Sequence, residues 1–105
     1  MLKKFRVCKF GELQEGGRRA VRIMAKEIAV FKINGEIRAI DGLCKHMKAP
    51  LVSSGKLDGA VLTCSWHGWR YNISTGDCLT KPLLALRSYE IEIADGEIFV
   101  KLELP

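Results

Sequence analysis

Two short pairs of cysteine and histidine constrain this chain more than any other feature. Cys44 and His46 are one residue apart, Cys64 and His67 are two apart, and 17 residues lie between the pairs. The chain has only two histidines, and both fall within these pairs. Thiolate and neutral imidazole both bind iron and zinc, and two of each complete the ligand shell of a small metal centre. The sequence therefore predicts a metal site with these four residues as ligands.

The spacing of apolar residues and turn signals predicts the fold class. Residues 88–94 alternate apolar and polar side chains at a period of two, and residues 19–24 do the same. The dipeptides Asn34-Gly35 and Asp95-Gly96 each separate two strand-like segments, which is typical of hairpin turns. No segment keeps a helical period over three turns. We therefore expect an all-β chain, an antiparallel sandwich or barrel, with the Cys/His pairs in irregular stretches between strands.

The residues around the two pairs resemble the two cluster-binding boxes of the Rieske iron–sulfur family. The first box runs CKHMKAPL from residue 44 to 51, and the second runs CSWHGWRY from 64 to 71. A Gly-rich connection, 55–59, precedes the second box, and Ser74-Thr75-Gly76 follows it, so the likeness covers most of the chain. The resemblance implies a Rieske-type β-sandwich or barrel with a cluster-binding subdomain formed by two loops.

The resemblance also implies a ligand set for one 2Fe–2S cluster. In the Rieske family two histidines replace two cysteines on one of the two irons. Carried over to this chain, Cys44 and Cys64 hold the first iron, and His46 and His67 hold the second.

Several loop positions depart from the pattern of high-potential Rieske proteins. Ala49 and Trp66 stand where those proteins carry a loop disulfide, and Trp69 stands where they carry a serine that bonds a cluster sulfide. Tyr71 stands where a tyrosine commonly donates to a cysteine sulfur. Fewer hydrogen bonds to sulfur lower the reduction potential, so the resemblance implies the low-potential, oxygenase-associated subfamily. Pro82 fits either the proline-bearing loop that covers the cluster or a plain strand break.

The residue inventory narrows the function to electron transfer. A ring-hydroxylating oxygenase also needs an iron held by two further histidines and a carboxylate, and this chain has no further histidine. A reductase would need a nucleotide-binding turn of the G-x-G-x-x-G kind, which the sequence lacks. We therefore expect a soluble one-electron carrier rather than an enzyme. Its partners would be a flavin or iron–sulfur reductase and a terminal oxygenase or similar acceptor.

Two alternative functions stay open on the sequence alone. The small subunit of an assimilatory nitrite reductase shares this fold, and its partner would be the large subunit, although many such subunits lack the four ligands. A structural zinc module of Cys2His2 type would use the same donors, although a first pair of the form C-x-H does not match the common zinc fingers.

Length and hydropathy indicate the number of domains and the expected location of the chain. A chain of 105 residues forms one domain, here residues 1–105, with 48% apolar and 28% charged residues as in ordinary globular proteins. Its apolar stretches are far shorter than the ~20 residues that span a bilayer. The basic start leads into no apolar segment of the signal-peptide kind, so we expect a cytoplasmic protein without membrane contact.

The formal charge of +5 bears on which kind of partner the chain could bind. The basic residues form no motif for reading nucleic acid, so a nucleic-acid partner is not expected. Lys45 and Lys48 bracket His46 and are candidates for docking an acidic redox partner, although an ordinary solvated surface is the alternative. Cys8 and Cys78, outside the ligand set, are expected to be small buried thiols rather than a disulfide.

Overall fold

The computed structural model describes residues 2–43, 50–65, 68–81 and 85–103. Its elements in chain order are β1 (Leu2–Lys9), a 3₁₀ turn (Phe10–Glu12), β2 (Arg18–Ile23), β3 (Lys26–Ile33), β4 (Glu36–Asp41), α1 (Leu51–Ser54), β5 (Gly55–Asp58), β6 (Val61–Cys64), β7 (Arg70–Asn72), β8 (Ser88–Ala94) and β9 (Glu97–Glu103). All pairs between these strands are antiparallel, and the prediction of an all-β antiparallel fold is confirmed.

The strands form two sheets of unequal size. The larger sheet has the order β1-β9-β8-β4-β3-β2, and the smaller has the order β5-β6-β7. Both predicted hairpins are present, since β3 turns into β4 and β8 turns into β9. Asn34 and Gly35 have φ values of 52° and 78°, the left-handed conformation that their residue types favour.

Strand β3 joins two hydrophobic cores. Residues 28–31 have no solvent exposure, because the side chains of a strand alternate between two faces and both faces are covered here. Ile28 and Val30 lie in the core of the larger sheet, while Ala29 and Phe31 lie in the core shared with the smaller sheet. The uninterrupted apolar run of β3 thus serves to fix the small sheet onto one face of the large one.

The two cysteines outside the predicted ligand set are buried thiols. Cys8 is 1% exposed on β1, and Cys78 is 2% exposed in the core beneath the small sheet. They belong to different cores and form no disulfide, so their predicted role as small core residues is confirmed. In the described part of the chain, no helix has the length and apolar character needed to cross a bilayer.

A side-chain network reinforces the narrow junction between β4 and β8. The two strands share only two register pairs, Ala39 with Tyr89 and Ile40 with Ser88. The Tyr89 hydroxyl donates to Asp41 Oδ1 at 2.6 Å, and the backbone N–H of Arg87 donates to Asp41 Oδ2 at 3.0 Å. Partial burial, and next the hydrogen bond to Asp41, raise the pKa of Tyr89 above its ordinary value.

Replacing Tyr89 with Phe is expected to lower the free energy of unfolding by about 1 kcal/mol, the usual worth of one hydrogen bond. Because the pKa of Tyr89 is higher in the folded than in the unfolded protein, this stabilisation is fully present below the unfolded pKa of about 10. It is lost as the pH rises from that value through the folded pKa. Urea titrations at neutral and at alkaline pH should therefore show a difference between wild type and variant that shrinks at alkaline pH. A difference independent of pH would contradict this role of the hydroxyl.

Candidate metal centre

Cys64 is the predicted ligand that the structure describes. It is the last residue of β6, is 1% exposed, and shares a core with Leu51, Leu62 and Tyr71. The expectation that both ligand pairs lie wholly in irregular stretches is wrong for Cys64. The strand continues through it because Cys64 pairs with Gly55 of β5 in the antiparallel register.

Two backbone hydrogen bonds close the base of the second loop. The N–H of Cys64 donates to the carbonyl oxygen of Trp69 at 2.8 Å, and the N–H of Gly68 donates to the carbonyl oxygen of Cys64 at the same distance. The chain therefore reverses between β6 and β7, and His67 falls in sequence between these anchored residues. This base holds the two ends of the loop that contains the predicted ligand His67 against the sheet.

The base of the first loop is closed in a similar way. Leu43 and Pro50 form an isolated antiparallel bridge, and the N–H of Leu51 donates to the carbonyl oxygen of Gly42 at 2.8 Å. The N–H of Gly42 in turn donates to the carbonyl oxygen of Glu27 on β3, also at 2.8 Å. The stretch 44–49, which holds the first Cys/His pair in sequence, is thus tied at both ends to the rigid larger sheet.

The two loop bases lie side by side. Helix α1 leads from Pro50 to Gly55, whose N–H donates to the carbonyl oxygen of Leu51, and Gly55 pairs with Cys64. Arg18 on β2 donates from Nη1 to the carbonyl oxygen of Gly55 at 2.5 Å, which ties this junction to the larger sheet. The contacts of Gly55 and Arg18 were not predicted. No local pattern signals a contact between residues 37 positions apart.

Trp69 and Tyr71 line the core beside the second loop. Trp69 is half-buried and packs against this core, while Tyr71 is fully buried on β7, opposite Leu62 in the register. Trp69 thus contributes to the packing of this core. Donation from Tyr71 to a cysteine sulfur stays a prediction.

The described geometry fits a cluster that bridges two loops. A buried cysteine ends β6, the closed base of the other loop lies across α1 from it, and apolar side chains cover the junction. A thiolate at this position is shielded from water and rigidly held, as a cluster ligand requires. The remaining predicted ligands and several other positions singled out in the sequence lie outside the described residues, so their roles stay predictions: Cys44, Lys45, His46, Lys48, Ala49, Trp66, His67 and Pro82.

Fold and site together describe a small β protein in which a buried cysteine lies beside the closed bases of two adjacent loops. Residues 3–90 match the model of the Rieske [2Fe-2S] domain, and the chain belongs to this family. It is 35% identical over 96 residues to the ferredoxin component of the p-cumate 2,3-dioxygenase system of Pseudomonas putida, covering 90% of this chain and 81% of that protein.

Solved structures from carbazole 1,9a-dioxygenase systems are similar to this chain. One is a complex of reduced oxygenase and oxidized ferredoxin in carbazole 1,9a-dioxygenase, in which a chain matches with a TM-score of 0.85, 33% identity and coverage of 92% of this chain and 91% of that one. Another is the terminal oxygenase of carbazole 1,9a-dioxygenase from Nocardioides aromaticivorans IC177, with a TM-score of 0.81 and 26% identity. That match covers 92% of this chain but only 29% of the oxygenase chain.

These comparisons bear on the alternative functions that the sequence left open. The family is defined by its 2Fe–2S cluster, which favours an iron–sulfur cluster over a structural zinc ion. The Rieske-type fold is confirmed. The relatives of similar length are ferredoxin components of oxygenase systems, which does not favour a nitrite reductase subunit.

Proposed function

We propose that this chain is a one-electron carrier that binds one 2Fe–2S cluster and passes electrons to a terminal oxygenase. The observation that carries the proposal is the match to ferredoxin components of dioxygenase systems over most of both chains. Such components transfer electrons and do not catalyse the oxygenation. The chain acts as a single domain, residues 1–105, in which Cys44 and Cys64 ligate one iron and His46 and His67 the other.

The cluster, when bound, supplies a reversible one-electron couple, and the protein supplies its setting. The hydrogen bonds at the two loop bases hold the ligand-bearing segments in place during oxidation and reduction. The burial of Cys64 excludes water from one side of the centre. A rigid, dry setting of this kind limits reorganisation when the charge changes by one.

The electron donor is a flavin or iron–sulfur reductase, and the acceptor is a terminal oxygenase. The solved complex between oxygenase and ferredoxin in carbazole 1,9a-dioxygenase supports the choice of acceptor. Lys45 and Lys48, on either side of the ligand His46, contribute to docking this partner. The expected cytoplasmic location stays a prediction.

Protein-film voltammetry tests the proposed carrier. We expect a reversible one-electron wave in the lower part of the Rieske range, which spans about −150 to +300 mV. The potential is low because the chain lacks the serine hydroxyl that stabilises the reduced cluster, Trp69 standing in its place. Replacing Trp69 with Ser should raise the potential relative to Trp69→Ala, which removes the same ring without adding a hydroxyl.

Three outcomes would contradict the proposal in different ways. A wild-type wave near the upper end of the range would mean that other donors outweigh the missing serine, and the low-potential assignment would fail. A colourless protein with one bound zinc and no wave would establish the zinc module. Stable co-purification with a large sirohaem subunit would assign the chain to a nitrite reductase.

A further inference from the structure

Five basic residues of the larger sheet form ion pairs with glutamates. Their ion pairs are Lys4 Nζ with Glu92 at 2.8 Å, Arg6 Nε with Glu97 at 2.6 Å, Arg22 with Glu27 at 3.7 Å, Lys101 with Glu92 at 3.3 Å, and Arg38 with Glu36. Most of these pairs cross between adjacent strands, where opposite charges stabilise a sheet and like charges destabilise it. The charge of each of these basic residues is therefore offset by a carboxylate.

The smaller sheet carries basic residues without such partners. The register places Lys56 of β5, Thr63 of β6 and Arg70 of β7 in one row across the sheet. The next row, with Leu62 and Tyr71, faces the core, so this row faces outward, and Lys56 and Arg70 are exposed. Within the described ranges, no carboxylate lies within ion-pair distance of either side chain. We call Lys56 and Arg70 the basic row.

The basic row lies directly beside the candidate metal centre. Thr63, in the middle of the row, immediately precedes Cys64, and Lys56 immediately follows Gly55, the register partner of Cys64. The two basic side chains are two strand spacings apart, about 10 Å, so they face the same partner surface. A protein that docks on this face comes close to the cluster-bearing end of the sheet.

The segment that leaves β7 adds to the same surface. The N–H of Leu79 donates to the carbonyl oxygen of Arg70 at 2.7 Å, and the N–H of Arg70 donates to Thr80 Oγ1 at 3.0 Å. This segment therefore runs alongside β7, and it carries the exposed Lys81 and an exposed Leu79, 45% accessible. Exposed apolar and basic groups together are suited to a protein partner.

The charge of the chain is concentrated around the predicted ligands. Residues 44–81 contain five basic and two acidic residues and no glutamate, so they carry +3 of the total +5. Asp58 shares the outward face with Lys56 but forms no ion pair with it. This stretch contains no glutamate, which leaves a positive field at the cluster end.

We propose that the basic row, with Lys81 at its rim, is a docking surface for an acidic face of the electron-accepting protein. The inference rests on the proposed carrier function and extends it by naming the surface and the charge of the partner. Complementary fields speed the encounter of charged proteins and fix their orientation. The positive face thus brings an acceptor rich in Asp and Glu against the end of the sheet where Cys64 lies.

Stopped-flow oxidation of the reduced protein by small ions measures the field at this surface. The probes are ferricyanide, which is anionic, and tris(phenanthroline)cobalt(III), which is cationic. We compare ionic strengths of about 0.01 M and 1 M, where the Debye lengths are about 30 and 3 Å. At low salt, the Lys56→Glu/Arg70→Glu variant should react at least about tenfold more slowly with ferricyanide and faster with the cobalt complex.

The matched control is Lys3→Glu/Lys9→Glu, which changes the net charge equally on β1, the edge strand whose neighbour is β9. It should change the low-salt rates much less than the row variant does. At high salt the surface charges are screened, so a difference between the oxidation rates of variant and wild type then reports a change in the reduction potential of the cluster. Equal effects of the two variants would show that only the net charge matters and would overturn the docking surface.

Poly-L-glutamate then stands in for an acidic protein face. At low salt it should slow ferricyanide oxidation of the wild type and of the control, but not of the row variant. Equal inhibition of the row variant, or inhibition of the wild type by an oligonucleotide and not by poly-L-glutamate, would overturn the inference. A protein without a reducible cluster would overturn the proposed function and this inference together. A protein that can be reduced, but whose oxidation rates do not change in the row variant, would overturn the inference alone.

Discussion

We expect replacement of His46 or His67 with Ala to abolish the EPR signal of the reduced protein. In wild type this signal should have the low average g-value of clusters with histidine ligands, because imidazole donates less charge to iron than thiolate does. Removing either imidazole leaves one iron with an open position, and the cluster is lost. Iron and sulfide analysis of the purified variants should show the same loss as the spectra.

Cys64 and Cys78 provide a matched control for the ligand assignment. Both are almost completely buried, at 1% and 2% exposure, and both belong to the core beneath the small sheet. Only Cys64 lies within a Cys/His pair. Cys64→Ala should therefore lose the cluster, while Cys78→Ala should retain the full EPR signal at the cost of a small core cavity. A plant-type ferredoxin spectrum in the wild type would refute ligation by histidine, and a normal signal in Cys64→Ala would refute the assignment of Cys64.

Local chemistry made the hairpins predictable. Asn34-Gly35 adopts the left-handed conformation at both residues, and this conformation is accessible to few residue types, so the dipeptide indicates its turn without help from distant contacts. The period-two alternation of residues 88–94 likewise indicates the strand that forms β8. Both signals act over a few residues, and they fixed the fold class.

Long-range pairing was not predictable from such signals. The neighbours β4 and β8 are far apart in sequence and share two register pairs. Strand β3 does not alternate apolar and polar side chains as most strands do, because a core covers each of its faces. The separation of β5, β6 and β7 into a second sheet depends on these contacts, so it appeared only in the structure.

The candidate site also has a part that the local sequence predicts and a part that depends on distant contacts. The spacing of Cys44, His46, Cys64 and His67 indicates the donor types, since thiolate and imidazole are defined by the residues themselves. The position of Cys64 within β6 depends on its pairing with Gly55, and the joining of the two loop bases depends on α1. Residue identity thus predicts the chemistry of the site, while the packing that brings the loops together follows from tertiary contacts.

The packing of the two loop bases depends on Gly55. A Cβ atom at this position would lie 2.4 Å from the carbonyl oxygen of Leu51 and 2.9 Å from Cδ1 of Leu62. The carbonyl oxygen belongs to α1, and the N–H of Leu51 is held by Gly42 at the base of the first loop. The clash is therefore with backbone that cannot move without moving the first loop away from Cys64.

Replacing Gly55 with Ala should accordingly lower the free energy of unfolding by about 2–3 kcal/mol, as overpacking of a dense core does. It should also reduce the iron bound per chain, because the displaced loop base no longer faces Cys64. Urea titration and iron analysis measure the two effects separately. Gly11→Ala is the matched control, since a Cβ there meets nothing within 4 Å, and it should leave both quantities near wild type. If Gly55→Ala kept wild-type stability and a full complement of iron, the close approach of α1 to β6 would not be what holds the two loops together.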